Sequence, residues 1–154
     1  MMKIEIVDYQ PEYATHFERI NKAWLEEYFT IEPIDKYVLE NPQEAILEHG
    51  GHILFARHEQ QIVGAAALKF VEPGVFELTK MGVDQNLRGQ GTGKILCAAA
   101  IEKAREIGAS KVILYSNRIL ANAINIYLKI GFKEIPLDTV YKRSDIKMEL
   151  ILKP

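Results

Sequence analysis

The chain has 154 residues, 48% of them apolar, and a formal charge of −2, which is one domain's length with enough apolar side chains to bury a core. It lacks the basic surplus of a phosphate-backbone binder, so no nucleic-acid partner is expected. The lone cysteine, Cys97, excludes an intrachain disulfide and a thiolate metal cluster; with no run near the ~18 apolar residues of a membrane span and no hydrophobic leader in MMKIEIVDYQPEY, a cytoplasmic protein without a membrane partner is expected.

Residues 3–7, Lys-Ile-Glu-Ile-Val, alternate as a half-buried strand does. Pro11 then opens a helix in which Tyr13, Phe17, Ile20, Trp24, Leu25 and Tyr28 recur at helical spacing. A shorter helix is predicted over 34–39, restarted by Pro42 towards Leu47 and ended by Gly50-Gly51. Strands over 52–58 and 61–71 flank Glu59-Gln60 as a tight turn, and Pro73-Gly74 turns the chain into a third strand over 75–83. Short turns between three strands make an antiparallel meander.

The pattern then changes. Residues 93–107 are rich in Ala, Leu, Ile, Lys and Glu, which favour helix, and Gly108 caps them. Residues 111–115 form a short apolar strand, 120–130 a helix ending at Gly131, and 132–135 and 145–152 closing strands. The last of these offers an edge on which a second copy could pair into a homodimer. With no repeat, low-complexity run or linker, the reading is one α/β (α+β) domain over 1–154. Its element order, β-α-α-β-β-β-α-β-α-β-β, predicts a mixed, largely antiparallel central sheet of about seven strands flanked by four helices.

Between Val83 and Lys94 a strand runs through Arg88, Gly89, Gln90, Gly91, Thr92 and Gly93 into a helix. The glycines permit positive φ and let backbone N–H groups turn around an anion. The helix N-terminus adds free donors and a favourable dipole, and Arg88 and Lys94 add countercharge. The chemistry is that of a phosphate or pyrophosphate site. Neither a Walker loop, in which Lys94 would precede Ser or Thr rather than Ile95, nor a G-x-G-x-x-G fingerprint fits the spacing.

Arg88-Gly-Gln-Gly91-Thr-Gly93 does resemble the R/Q-x-x-G-x-G/A motif of GNAT acetyltransferases. Residues 77–83, Glu-Leu-Thr-Lys-Met-Gly-Val, resemble the family's fourth strand, and residues 123–132, Ala-Ile-Asn-Ile-Tyr-Leu-Lys-Ile-Gly-Phe, its A-x-x-L-Y-x-K-x-G-F signature. The resemblance implies the GNAT fold, acetyl-CoA as co-substrate, and N-acetylation of a primary amine. It implies that the loop from Arg88 to Lys94 holds the pyrophosphate, and that Met81, Gly82 and Val83 carry the pantetheine arm. Asn117, Leu120 and Ala123 would flank that arm. A protonated alkylamine, pKa ~10, must lose a proton before attack, and a departing thiolate gains from a proton donor. Tyr127 matches the family's donor, and Glu77 stands where some members keep a carboxylate base. Taken alone, Tyr127 reads as a core tyrosine and Glu77 as a solvated strand residue.

The acceptor side is expected over 28–35 and 137–143. There Glu32 and Asp35 could hold a cationic amine beside Tyr28 and Tyr141, and Arg143 would suit a substrate carboxylate. A small amino-acid-like amine is the expected partner. Alternatives are a protein N-terminus or lysine, and an acetyl-CoA-binding module without turnover. His16, His49, His52 and His58 show no metal-ligand spacing, and no metal is predicted. Cys97 reads as a packed small hydrophobe.

Overall fold

The computed structural model describes residues 3–138 and 141–153. Thr139 and Val140 of the second acceptor segment, and Met1, Met2 and Pro154 of the predicted domain, lie outside the described residues. Strand β1 (Glu5–Asp8) pairs antiparallel with β2 (His52–His58), β2 with β3 (Gln61–Glu72), and β3 with β4 (Val75–Val83). Strand β5 (Lys111–Ser116) lies parallel to β4. Strand β7 (Ile146–Ile151) then runs antiparallel to both β5 and the short β6 (Lys133–Ile135). One seven-stranded sheet results, in the order β1-β2-β3-β4-β5-β7-β6. The Glu59-Gln60 turn holds both residues at positive φ, 49° and 68°, the twist that lets two residues join antiparallel strands although neither is glycine.

Helices α1 (Ala14–Tyr28), α2 (Pro33–Glu40) and the single turn α3 (Pro42–Ala45) cover one face of the sheet; α4 (Thr92–Glu106) and α5 (Ala121–Ile130) cover the other. Among the described residues five α-helices stand where four helices were predicted. Asn41 precedes Pro42, whose ring disfavours helical backbone before it, and at φ −137° and ψ 56° it ends α2 before α3 restarts. The closing strand also differs from its expected edge position. It is interior, bonded to β5 on one side and β6 on the other, so β6 forms the rim.

Each face has its own core. Phe17, Ile20 and Leu25 of α1 pack with Leu39 and Phe55 on one face; Leu96, Cys97 and Ala100 of α4 pack with Leu114 and Met148 on the other. Burying a side chain such as Phe17 or Leu25 completely contributes about 1.5–3 kcal/mol, which is why these stripes set the docking of each helix.

Two irregularities of β4 create the opening between the layers. Ala65 pairs with Gly82 but Ala67 with Thr79, so β4 carries one extra residue, and Lys80 adopts φ 52° within that bulge. Strands β4 and β5 pair only over Val75–Glu77 and Lys111–Ile113. Beyond those residues they are unpaired to each other, and a wedge opens through the sheet.

Candidate functional site

A cavity of about 660 Å³ fills this wedge, lined on one wall by Leu78 to Val83 of β4 and on the other by Tyr115, Ser116 and Asn117. Its two ends differ in chemistry. At one end the loop after β4 enters α4. Gly89 and Gly91 there take φ of 80° and 86°, and a Cβ on either would meet nothing within 4 Å. Glycine is therefore demanded by backbone conformation, and the space before it is open. The N–H groups of Gly89 through Lys94 find no backbone acceptor among the described residues. The buried Thr92 hydroxyl likewise has no partner among the described residues. A row of unmatched donors at a helix N-terminus is a site for an anion, so these residues fit the pyrophosphate-bearing group that the sequence implied.

Arg88 reaches this end partly committed: Nε donates to the Val83 carbonyl at 3.3 Å and Nη1 to Glu27 at 2.8 Å. Lys94 lines the same cavity, and Gln90 is exposed beside it. Met81, Gly82 and Val83 line the wall along β4, opposite Leu120 and Ala123. A Cβ at Gly82 would come within 2.6 Å of Trp24 Cδ1, so glycine there admits the indole against the strand. Asn117 also lines the cavity, but both ends of its amide are engaged: Nδ2 donates to the Arg143 carbonyl and Oδ1 accepts from the Ile119 N–H.

Tyr127 projects from α5 into the cavity on the α4 and α5 side, packed edge-on to Phe132. Burial, and secondarily the nearby Cys97, pushes its hydroxyl well above the ordinary tyrosine range, so it holds its proton. It makes no hydrogen bond to another described residue. Burial pushes the Cys97 thiol up to about 12, which leaves it an inert packed group.

The other end lies on the α1 and α2 side. Tyr28, Tyr141 and Arg143 line the cavity, whereas Glu77, Glu32 and Asp35 stand behind that surface. Glu77 is only 4% exposed, and the Tyr141 hydroxyl donates to it at 2.9 Å. Burial raises the Glu77 carboxyl above the usual range, with the Tyr141 hydrogen bond pulling partly back. Asp35 is fully buried and accepts from three side-chain nitrogens, Lys80 Nζ at 2.9 Å, Arg143 Nη1 at 2.6 Å and Arg143 Nη2 at 2.9 Å. Arg143 also donates to Glu32 at 2.9 Å. Glu32 and Asp35 further cap α2 in a reciprocal box.

This arrangement changes two expectations. Glu32 and Asp35 do not stand free to hold a cationic amine, because the protein's own Arg143 and Lys80 take their charge. Arg143 does not stand free for a substrate carboxylate, because both terminal nitrogens of its guanidinium are already bonded to Glu32 and Asp35. Sequence reading also missed part of the lining. Trp24, Phe29, Lys80 and Tyr115 join the acceptor end, and Asn122, Asn125 and Lys129 present one face of α5 to the cavity. The spacing of the last three, at three and four residues, was the available signal. Lys80 carried none, since a mid-strand lysine ordinarily reads as solvated. Among the described residues no group of His, Cys, Asp and Glu could hold a metal ion.

Comparison with known proteins bears on this geometry. The family model "Acetyltransferase (GNAT) family" matches residues 15–132. The mycothiol acetyltransferase of Saccharomonospora viridis is 32% identical over 117 residues, 71% of this chain but 38% of that protein. This chain therefore spans well under half the length of that relative. Among solved structures, a GNAT-family acetyltransferase from Staphylococcus aureus Mu50 superposes with a TM-score of 0.88 at 24% identity, over 98% of this chain and 100% of that one. The PaiA N-acetyltransferase of Thermoplasma acidophilum, solved in complex with coenzyme A, gives 0.78 at 21% identity over 97% and 99%. At such identities the superpositions speak to fold.

Proposed function

The chain belongs to the acetyltransferase (GNAT) family, and from that premise we propose that it transfers an acetyl group from acetyl-CoA to a primary amine by direct attack. The observation that carries this reading is the row of unmatched N–H groups from Gly89 to Lys94, which opens into the same cavity as Tyr127 and Tyr141. Those N–H groups would hold the pyrophosphate, and the wall from Met81 to Val83 the pantetheine arm. When bound, acetyl-CoA supplies the activated acyl thioester.

Tyr127 is the general acid in this scheme. Its raised hydroxyl keeps its proton at neutral pH, so it is present in the donor form when the thiolate departs. Glu77 is the base, and it acts through Tyr141. The amine hands a proton to the Tyr141 oxygen as the Tyr141 hydroxyl hands its own to Glu77, so the phenol ends unchanged. A carboxyl raised by burial suits this task better than an ordinary one, because its basicity lies nearer that of the amine.

Thiol release from acetyl-CoA across a panel of amines tests the reading. Tyr127→Phe should lower kcat by about 10²–10⁴-fold while leaving the Kd for CoA within twofold. Wild-type rates in that variant would remove Tyr127 from the role. Tight cofactor binding with no release for any amine would instead favour a binding module.

A further inference from the structure

The acceptor end of the cavity is walled by aromatic rings. Trp24, Tyr28 and Phe29 come from the end of α1 and the residue after it, and Tyr115 and Tyr141 face them from beyond the wedge. The rings are mutually braced: Trp24 and Phe29 centroids lie 6.4 Å apart, Tyr28 and Phe29 6.3 Å, and Tyr115 and Tyr141 5.7 Å. The Trp24 indole N–H is already satisfied by Asn21 at 2.9 Å, so the ring turns apolar surface, not a donor, towards a ligand. Tyr28 remains 43% exposed although it is a large ring beside a cavity. Bracing of this kind holds flat faces open for another flat group.

Charge narrows the choice further. The two cations at this end, Lys80 and Arg143, are bound by Asp35 and Glu32, and the third carboxyl, Glu77, is bonded to Tyr141. No cation there is left for a ligand carboxylate. Lys69 acts on Glu77 from behind this wall, and Lys147 over the Tyr115 ring is bonded to Asp138, so the charges of this end balance and a ligand anion would be desolvated without a counter-charge from the lining. The basic lining residues Arg88, Lys94 and Lys129 lie with the glycine loop and α5 instead.

We propose that the acceptor is a primary alkylamine carried on an aromatic ring, with no carboxylate beside the nitrogen. The ring stacks among Trp24, Tyr28 and Phe29, and the nitrogen points to Tyr141. This inference rests on the acetyltransfer reading for its chemistry but not for its ligand, which can be measured by binding alone.

The test is calorimetric binding to the CoA-saturated protein, paired with thiol release from acetyl-CoA. The ligands are 2-phenylethylamine, tryptamine, phenylalanine, tryptophan, spermidine and an alanine-led tripeptide. The aromatic amines should bind at least tenfold tighter than the amino acids bearing the same rings, and tighter than spermidine or the peptide. Tyr28→Ala should weaken tryptamine at least fivefold with CoA affinity unchanged, and Tyr28→Phe should restore it. Equal or tighter binding of an amino acid, spermidine or the peptide overturns the inference, as does no binding by either aromatic amine. Aromatic amines that bind without thiol release would sink the acetyltransfer reading and leave the ligand class standing. Release confined to peptide or spermidine would do the reverse.

Discussion

Burial raises the Glu77 carboxyl above the ordinary carboxylate range, against a partial opposing pull from the Tyr141 hydrogen bond. The folded state thus binds this proton more tightly than the unfolded chain, whose glutamates titrate near ~4.3. The stability Glu77 contributes is fully present below that ordinary value and is lost as pH rises through the raised one. Glu77→Gln keeps a group that accepts from Tyr141 and removes the charge. Its melting temperature should exceed the wild type's at pH 7, and the two should converge near pH 4. Turnover should meanwhile fall about 10²–10⁴-fold as the base is lost. Tyr141→Phe should give a similar loss, and the double variant should be no slower than the slower single one, because one relay is being broken twice. Additive losses would show that the two groups act separately. A Glu77→Gln variant less stable at pH 7 would show that the buried charge is compensated.

At the scale of elements, the loop into α4 and the wall of β4 use glycine for opposite reasons, and alanine separates them. Gly91 has open space around it but φ of 86°, so Gly91→Ala strains only the backbone, by roughly 1–3 kcal/mol. Melting should drop by roughly 2–12 °C, while the re-aimed N–H groups should weaken CoA by at least tenfold. Gly82 has no such φ but meets Trp24 at 2.6 Å, so Gly82→Ala should overpack the wall, costing about 1–3 kcal/mol, and displace the indole. Thermal melting with CoA titration checks both; equal effects of the two on CoA affinity would contradict the distinction. The glycine loop, the strand order along the chain and the helix that carries Tyr127 were legible because their reasons are local: residue types at fixed spacing dictate a turn, a period or a cap. The bulge at Lys80, the splay of β4 from β5 and the engaged state of Arg143 were not. Lys80 meets Asp35 across 45 residues and Arg143 meets it across 108, and no local pattern encodes those pairings.

Across the whole molecule, Asp35 is the point where α2, the β4 bulge and the segment before β7 are tied together. Burial alone would raise its carboxyl, but the Arg143 hydrogen bonds and the Lys80 charge outweigh it and hold the carboxyl below the usual range. A depressed carboxyl contributes stability that is present above its ordinary value, ~3.9, and lost as pH falls through the lower folded value. Asp35→Asn would leave the Lys80 ammonium, 5% exposed, without the carboxylate bonded to it, and only the more distant Glu77 to act on it. Removing one partner of a buried pair costs about 3–5 kcal/mol, which is roughly 6–20 °C of melting temperature at this chain length. That deficit should be largest at neutral pH and shrink below pH ~4, where Asp35 of the unfolded chain takes up its proton first and the folded wild type follows only at its lower value. Melting curves from pH 2.5 to 7 for both proteins decide it, and a variant that melts with the wild type at pH 7 would show the tie adds nothing to stability. Replacing the ionic set together, as Asp35→Leu with Lys80→Met and Arg143→Met, distinguishes stability from specificity. Buried ion pairs are often no better than apolar groups of similar volume, so the triple variant should melt well above Asp35→Asn, below the wild type only by the lost α2 capping bond and the Glu32 left without Arg143. Its acceptor end, stripped of Lys80 and Arg143 behind the Tyr141 ring, should nevertheless lose amine turnover, because both cations lie about 5 Å from that ring and fix where its hydroxyl points.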